Sequence, residues 1–296
     1  MRMMTNVSVT DADPPIRELL RHWGKEAEQL SMQQQFQVTQ KGLDDYVTSV
    51  DRELDRQLSA AFATLFPQDG IITEENSRSR RVFHQGYRHL WLIDPVDGTE
   101  SFIEGKPDYS LMVGLLTAYQ PMAGWIYVPA QDRMYFGGPE WGLFQTRGNY
   151  APEPLPVREP LPPSVGYCPV MIGARDQMNF GRAIATLIPE IQFHSLGSFG
   201  LKVIEVICGR VGLYVYLNRR VKLWDTTGPL ALAQAAGLVC CDLTGEPIRF
   251  QPDVIHAETL SHQQTIVIGW PSYIEALRPR IRQAFNDWSP AGIYRG

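Results

Sequence analysis

Two aspartates followed by Gly-Thr form the segment of this sequence whose residue types best suit chemistry. The stretch WLIDPVDGTESF places Asp94 and Asp97 three positions apart around a proline, and Gly98 and Thr99 follow directly. Two carboxylates about 5 Å apart repel each other by about 3 kcal/mol in a protein-like dielectric. A proton or a cation must offset this repulsion, and carboxylate oxygens favour a hard divalent cation such as Mg²⁺. The alternative is a turn in which both aspartates cap main-chain amides.

Three further segments place acidic residues at the predicted ends of helices or strands. Glu74 and Glu75 follow a predicted strand in IITEEN. Asp225 lies in the first turn of an apolar helix in LWDTTGPLALAQAAG, and Asp51 stands at the head of a helix in DYVTSVDRELD. Each has a plain structural alternative, which is a solvated loop for the glutamates and an N-cap for each aspartate. Their succession along one chain is more specific than any single segment.

Helices and short strands must position these acids. Apolar spacing predicts helices over 14–36, with the prolines at its start, and over 47–66, whereas residues 1–15 are expected to form a frayed start. Six short strands then suggest a largely antiparallel meander: GIIT, HLWLID, YSLMVGLL, MAGWIYV, MYFG and GLFQTR. Pro95 is expected to end the strand that carries Asp94, and Gly98-Thr99 to open a short helix through Ile103. Amides at such a helix start can cradle an anion.

The proline-rich segment 151–163 predicts a connector between an N-terminal α+β sub-domain, 1–150, and a C-terminal α/β sub-domain, 164–296. After the connector, four predicted strands alternate with three predicted helices, which indicates some parallel pairing. The strands are VGYCPVMIG, IQFHSLG, GLYVYL and LVCCDL, and the helices are MNFGRAIATLI, FGLKVIEVICG and TTGPLALAQAAG. The active site is expected at the junction of the two sub-domains.

Together these segments resemble the inositol monophosphatase superfamily of Mg²⁺-dependent, lithium-sensitive phosphomonoesterases. The resemblance runs from Lys41 to about Gly237, and DPVDGTESF and WDTTG match the two signature motifs of the family. One departure is Thr73, because the residue before the paired glutamates is often glycine in the family. The resemblance implies an α-β-α-β-α layered fold.

The resemblance also implies a role for individual residues. The first metal ion would be held by Glu74, Asp94 and the main-chain carbonyl of Val96, and the second by Asp94, Asp97 and Asp225. A third, weaker ion would sit near Glu74 through waters, and Mn²⁺ is an alternative to Mg²⁺. The amides of Gly98 and Thr99 would bind the substrate phosphate. Asp51 would accept a hydrogen bond from the Thr99 hydroxyl, and Thr99 with Glu74 would orient the attacking water.

The substrate is less well specified. From Val211 to Trp224 the chain has no acidic residue, where inositol-specific members usually carry one, and it has Arg219, Arg220 and Lys222 instead. A cationic rim favours a substrate with a second anionic group. The segment SLGSFGLK, with Ser198 and Lys202, also looks like the bisphosphate nucleotidase branch, which converts adenosine 3′,5′-bisphosphate to AMP and phosphate. The alternative for the three hairpin cations is a solvated tip. The segment SRSRR, 77–81, is a second basic loop near the glutamates and is expected to lie at the surface.

Three functional hypotheses follow: a bisphosphate nucleotidase, an inositol monophosphatase or broad sugar phosphatase, and a regulatory binding partner that retains the fold. The net charge of −5 argues against nucleic-acid binding, and no apolar run is long enough for a membrane span. The cysteines are expected to be reduced core thiols of a cytoplasmic protein, and the family suggests a homodimer. The cysteines are Cys168, Cys208, Cys240 and Cys241.

Overall fold

The computed structural model describes residues 8–42, 45–164 and 166–287. In the first half the elements are α1 (Val9–Met32), β1 (Val38–Gly42), β2 (Asp45–Thr48), α2 (Ser49–Leu65), β3 (Gly70–Thr73), a 3₁₀ helix (Ser77–His84), β4 (His89–Asp97), α3 (Thr99–Ile103), β5 (Ser110–Thr117), β6 (Gln120–Val128), a 3₁₀ turn (Pro129–Gln131), β7 (Arg133–Gly138), β8 (Gly142–Arg147) and β9 (Glu153–Pro154). In the second half they are β10 (Pro169–Ile172), α4 (Ala174–Leu187), β11 (Gln192–His194), α5 (Phe199–Ile207), β12 (Leu213–Tyr216), α6 (Leu223–Ala235), β13 (Val239–Cys241), β14 (Ile266–Gly269) and α7 (Pro271–Asp287).

Two large sheets, a two-stranded sheet formed by β1 and β2, and the helices packed against them build the described residues, so the predicted layered arrangement of helices and sheets is confirmed. The seven-stranded sheet has the order β3-β4-β5-β6-β7-β8-β9, and the five-stranded sheet has the order β11-β10-β12-β14-β13. In the larger sheet only β3 and β4 run parallel, and the other pairs form the predicted antiparallel meander. In the smaller sheet β10 runs parallel to β11 and β12.

Side chains alternate across β4 and so feed two separate cores. Trp91 and Ile93 pack with the apolar faces of α1 and α2, whereas Leu90 and Leu92 belong to the core that continues into the second half of the chain. Successive side chains of a strand point to opposite faces, which explains why this strand is apolar at every position from Leu90 to Ile93. The segment that carries Asp94 is therefore held rigidly from both sides.

Helix α6 crosses the inner face of the larger sheet at very short range. A Cβ on Gly124 would come within 2.3 Å of the Gly228 carbonyl oxygen, and one on Gly114 within 2.4 Å of the Gly228 amide nitrogen. Three glycines thus let the helix backbone lie directly on β5 and β6. This contact fixes the height of α6 above the sheet and, with it, the position of Asp225 at its first turn.

The structure corrects several boundaries. Helix α1 begins at Val9 with Ser8 as its N-cap, so Pro14 and Pro15 lie inside the helix and the predicted frayed start extends too far. The extra turn is anchored by a tertiary contact, because the Trp125 indole Nε1 donates to Asp13 Oδ1 at 3.0 Å. The prediction for residues 1–7 lies outside the described residues.

Other boundaries also differ from the prediction. Helix α2 begins at Ser49, because 45–48 pairs with β1 in a hairpin and Thr48 caps the helix. Pro95 does not end β4, since Asp97 pairs again with Ser110 after an irregular step. Residues Glu153–Pro154 of the predicted connector pair with β8. Strand β14 and helix α7 have no counterpart in the prediction. Among the described residues, no helix combines the length and apolar character needed to cross a bilayer.

Candidate metal centre

Three aspartates converge where β4 ends and α6 begins. One carboxylate oxygen from each of Asp94, Asp97 and Asp225 lies within 4.8 Å of the corresponding oxygens of the other two. Asp94 is 1% exposed and Asp97 is 8% exposed, so most of this negative charge is shielded from water. The irregular step in β4 is what allows residues three apart to point toward one place.

Asp97 is held by the N-terminus of α5. The Ser198 hydroxyl donates to Asp97 Oδ2, and the Gly200 amide donates to the same oxygen at 2.9 Å. Ser198 is fully buried and also caps α5, since its Oγ accepts from the Leu201 amide at 3.0 Å. The remaining Asp97 oxygen, Oδ1, is thereby oriented by a helix that belongs to the second half of the chain.

The other two aspartates are held by neighbouring main-chain amides. Asp94 Oδ1 accepts from the Val96 amide at 3.0 Å, and Asp225 Oδ2 accepts from the Lys222 amide at 2.7 Å. Burial and the charge of Glu74 raise the pKa of Asp94 well above its ordinary value. Burial and the charge of Asp97 raise the pKa of Asp225 to about 7. All the donor atoms of this cluster are oxygens, and among the described residues no cation within the cluster neutralises the repulsion between the carboxylates. A hard divalent cation fits such a donor set.

Glu74 adjoins this cluster because β3 and β4 run parallel. Its amide donates to the Ile93 carbonyl at 3.2 Å, so the ends of the two strands lie at the same edge of the sheet. Burial and the charge of Asp225 raise the pKa of Glu74 well above its ordinary value. The side chain is thus within electrostatic reach of Asp94 and Asp225, although it does not belong to the set of oxygens that lie within 4.8 Å of one another.

Lys41 and Asp55 support the glutamate pair, and sequence reasoning assigned neither of them a role. Lys41 Nζ lies 2.5 Å from Glu75 Oε1 and 3.7 Å from Glu74 Oε1. The Glu75 amide donates to Asp55 Oδ1 at 3.1 Å. Both contacts depend on the β1–β2 hairpin and α2 folding against β3, and no local spacing in the sequence signals them.

The residues expected to bind phosphate and orient water lie at the start of α3. Gly98 adopts φ +95° as the N-cap of α3, a conformation that glycine tolerates best. The Thr99 hydroxyl lies 3.2 Å from Asp51 Oδ1 and 3.2 Å from the Val96 carbonyl, and it can donate to either. Asp51 is 1% exposed, and burial raises its pKa to about 6 although the Thr48 hydroxyl and amide oppose the shift.

The five residues predicted for the substrate rim lie in different environments. Ser198 is buried against Asp97, and Lys202 is 6% exposed with its Nζ donating to the Gly197 carbonyl at 3.0 Å. Lys222 immediately precedes α6, and its charge acts on Asp225. Arg219 and Arg220 are exposed, and the Arg219 guanidinium lies 5.9 Å from the Phe285 ring centroid of α7. These five residues do not form one continuous exposed rim.

Arg80 borders the site, and the sequence placed its segment near the glutamates without assigning it a role. The segment SRSRR was expected to be a surface loop, but 77–84 forms a 3₁₀ helix in which Arg80 is half-buried. Its guanidinium carbon lies 5.3 Å from the Trp224 ring centroid, and its Nη2 donates to the Glu74 carbonyl at 3.4 Å. Only the tertiary structure brings this arginine to residues next to the carboxylates.

Comparison with known proteins identifies the family of this fold and site. The model of the inositol monophosphatase family matches residues 11–272. The chain belongs to this family. It is therefore an inositol monophosphatase family phosphatase, and the predicted family is confirmed.

Curated relatives of this family member carry more than one activity in their names. The fructose-1,6-bisphosphatase/inositol-1-monophosphatase of Thermotoga maritima is 28% identical over 77% of this chain and 83% of its own length. The 3′(2′),5′-bisphosphate nucleotidase CysQ of Aggregatibacter actinomycetemcomitans is 28% identical over 69% of this chain and 74% of its own. The inositol-1-monophosphatase of Mesorhizobium japonicum is 29% identical over 82% and 86%.

Solved structures show the same fold. The IMPase (inositol monophosphatase) of Thermotoga maritima superposes with a TM-score of 0.76 at 24% identity, covering 94% of this chain and 100% of that one. An IMPase/NADP phosphatase crystallised with Mg²⁺ and phosphate gives a TM-score of 0.72 at 21% identity, covering 95% of this chain and 98% of that one. The layered α/β architecture of this family member is thus shared with them over 94% and 95% of the chain.

Proposed function

We propose that this chain is a Mg²⁺-dependent phosphomonoesterase that converts adenosine 3′,5′-bisphosphate to AMP and phosphate. The observation that carries the phosphatase proposal is the set of three aspartates whose oxygens lie within 4.8 Å of one another. Without a cation this arrangement keeps like charges together in a poorly solvated place, which is costly. Mg²⁺ and phosphate in a solved family structure support the same chemistry.

The proposed metal ligands divide between two sites that share Asp94. Glu74, Asp94 and the Val96 carbonyl would hold one ion, Asp94, Asp97 and Asp225 a second, and a third, weaker ion would lie near Glu74. Mg²⁺ is the proposed ion and Mn²⁺ an alternative. When bound, such ions neutralise phosphate oxygens, lower the pKa of a water and stabilise the leaving alkoxide.

The residues of the chain would orient the reactants. Asp51 lies within hydrogen-bond distance of the Thr99 hydroxyl. When it accepts a hydrogen bond from that hydroxyl, the Thr99 oxygen can accept a hydrogen bond from the attacking water. Glu74 would take part in holding that water. The amides of Gly98 and Thr99 would bind the phosphate. No covalent nucleophile is required.

The preference for a bisphosphate is supported by the absence of acids between Val211 and Trp224 and by the nucleotidase relatives. An inositol or sugar phosphate is the second candidate, because the inositol-1-monophosphatase of Mesorhizobium japonicum is equally similar at 29% identity. A regulatory role is the third candidate, since the Nus factor SuhB of Haemophilus influenzae is 26% identical over 68% of this chain. Lithium inhibition, a homodimer and a cytoplasmic location stay predictions.

Phosphate release by purified protein tests the proposed function. With Mg²⁺, we expect release from adenosine 3′,5′-bisphosphate at a higher kcat/KM than from inositol 1-phosphate. Asp94→Asn should abolish release from both substrates, because this carboxylate is shared between both proposed metal sites. The matched control is Asp253→Asn, which alters an exposed aspartate paired with Arg249 and should leave activity unchanged. If wild-type protein and Asp94→Asn are equally inert with Mg²⁺ and Mn²⁺, the phosphatase proposal is wrong.

A further inference from the structure

The 3₁₀ helix Ser77–His84 forms one border of the carboxylate site. Arg80 of this helix is in contact with two residues: the main chain of Glu74, at 3.4 Å, and the indole of Trp224, at 5.3 Å from the ring centroid. Glu74 is a proposed metal ligand, and Trp224 immediately precedes another, Asp225. His84 of the same helix lies near the second half, with its Nε2 3.3 Å from the Ala257 carbonyl. The guanidinium is thus fixed at the junction of the two halves.

Arg80 differs from Lys41 and Lys202, two other cations near the site, because it has N–H donors that could bind a ligand. Lys41 is paired with Glu75 at 2.5 Å, and Lys202 is buried with its Nζ on the Gly197 carbonyl. Within the described part of the chain Arg80 has no ion pair, and its Nε has no hydrogen-bond partner. A guanidinium carries five N–H donors, and among the described residues Arg80 makes one long hydrogen bond, through Nη2. Its Nε is buried, so the terminal nitrogens are the donors that a ligand would meet.

Two lysines act electrostatically on the proposed metal ligands. Lys41 is the cation that lowers the pKa of Glu74, and Lys222 is the cation that lowers that of Asp225. Arg80 adds a guanidinium at the border of the site, between the Glu74 main chain and the Trp224 indole, where an incoming anion can meet it. An arginine suits this role because its planar fork matches two phosphate oxygens and its face stacks on an indole.

We propose that Arg80 determines substrate specificity by binding a second phosphate, the one that is not hydrolysed, at the border between Glu74 and Trp224. This inference rests on the proposed phosphatase function and deepens it by naming the residue that would select a phosphate monoester carrying another phosphate group. Stacking on Trp224 holds the guanidinium in one orientation before the substrate arrives, which reduces the conformational entropy lost on binding. The second phosphate is therefore recognised by a preorganised arginine of the first half of the chain.

A matched pair of substrates tests the role of Arg80. Adenosine 3′,5′-bisphosphate carries the second phosphate, and adenosine 3′-monophosphate lacks it but has the same scissile ester. We expect Arg80→Ala to lower kcat/KM for the bisphosphate about 10- to 100-fold and for the monophosphate less than about threefold, as a charged hydrogen bond is lost only with the former. Arg80→Lys should recover only part of the loss, because lysine lacks the fork.

Arg81→Ala is the matched control, because Arg81 is the exposed neighbour on the same helix and its replacement removes the same charge. It should change neither substrate by more than about twofold, which separates a placed guanidinium from general electrostatic attraction. An equal loss on both substrates in Arg80→Ala, or no loss on either, would overturn the proposal. The equal loss would mean that Arg80 only clamps the 3₁₀ helix to Trp224.

Binding measurements keep this inference distinct from the proposed function. With Ca²⁺ in place of Mg²⁺, calorimetry gives the affinity of wild type and Arg80→Ala for both adenosine phosphates without relying on turnover. If wild-type protein releases no phosphate but binds the bisphosphate about 10-fold or more tightly than Arg80→Ala does, the phosphatase proposal fails and the Arg80 assignment stands. If wild-type protein binds the bisphosphate no better than the monophosphate, the Arg80 assignment fails whatever the activity.

Discussion

The Thr99 hydroxyl lies 3.2 Å from Asp51 Oδ1, in position to donate a hydrogen bond that joins the start of α3 to the first turn of α2. Asp51 is in turn fixed by Thr48, whose amide donates to its Oδ2 at 3.0 Å and whose hydroxyl donates to the same oxygen. The hydrogen bonds from Thr48 to Asp51 and from Thr99 to Asp51 therefore hold the Thr99 hydroxyl at the start of α3, although α2 and α3 are separate segments of the sequence.

Replacing Thr99 tests this relationship. Thr99→Val keeps the shape of the side chain and removes the hydroxyl, so we expect kcat to fall by about 100-fold or more with little change in KM. Thr99→Ser restores the hydroxyl and should recover most of the activity. Steady-state phosphate release is the measurement. A loss in Thr99→Ser as large as in Thr99→Val would show that the methyl group, and not the hydroxyl, is what matters.

Ser198 offers a test of metal positioning. Ser198→Ala removes the hydroxyl that donates to Asp97 Oδ2, and we expect Mg²⁺ affinity to fall about 10- to 100-fold, as for other groups that orient metal ligands. The control is Ser8→Ala, which removes the N-cap side chain of α1 instead of that of α5. It should cost about 1 kcal/mol of stability without changing Mg²⁺ affinity. Calorimetric Mg²⁺ titration distinguishes a cap effect, shared by both variants, from a positioning effect.

The pH dependence of stability in the metal-free protein follows from the raised pKa values. Asp225 has a folded-state pKa of about 7 and Asp51 one of about 6, against ordinary values near 3.8. Between these limits the folded state binds more protons than the unfolded state, so the free energy of unfolding falls as pH rises. In EDTA we expect the contribution of Asp225 and Asp51 to the free energy of unfolding to be largest near pH 4. This contribution should be lost progressively as the pH rises to about 7.

Saturating Mg²⁺ should reverse this trend, because a cation that binds the ionised carboxylates stabilises the fold increasingly as the protons leave. Urea unfolding from pH 4 to 8, with EDTA and with Mg²⁺, measures both curves. Asp225→Asn should make the EDTA curve less steep in this range, with the contribution of Asp51 remaining, and should reduce the Mg²⁺ effect because one of the two proposed sites loses a ligand. Parallel curves with and without Mg²⁺ would show that the cluster does not bind the ion.

The close approach of α6 to the sheet predicts a strong effect of a single methyl group. In Gly124→Ala the new Cβ would meet the Gly228 carbonyl oxygen at 2.3 Å, so the helix must shift and we expect a loss of about 1 to 3 kcal/mol in stability. Mg²⁺ affinity should fall as well, since α6 carries Asp225. Gly173→Ala is the control, because nothing lies within 4 Å of its added Cβ. Thermal unfolding and Mg²⁺ titration report the two effects.

Predictability from sequence differed between elements for identifiable reasons. Strand β8 (Gly142–Arg147) was placed to the residue because turn residues bound it on both sides. The start of α1 was wrong because Trp125, more than a hundred positions away, holds Asp13 in the helix. Strand β14 was missed although all four of its residues are buried, since a short apolar run carries no period that distinguishes it.

The sequence by itself determined the family, the layered fold and the succession of acidic residues at the ends of strands and helices, because these depend on local order along the chain. Only the tertiary structure decided which side chains meet. Close packing of α6 on the sheet brings Asp225 to Asp94 and Asp97, and it places Trp224 beneath Arg80. The tertiary structure also buries Lys202 and places Arg219 near Phe285 of α7. Long-range packing, and not local spacing, determines whether a cation of the sequence is buried or exposed.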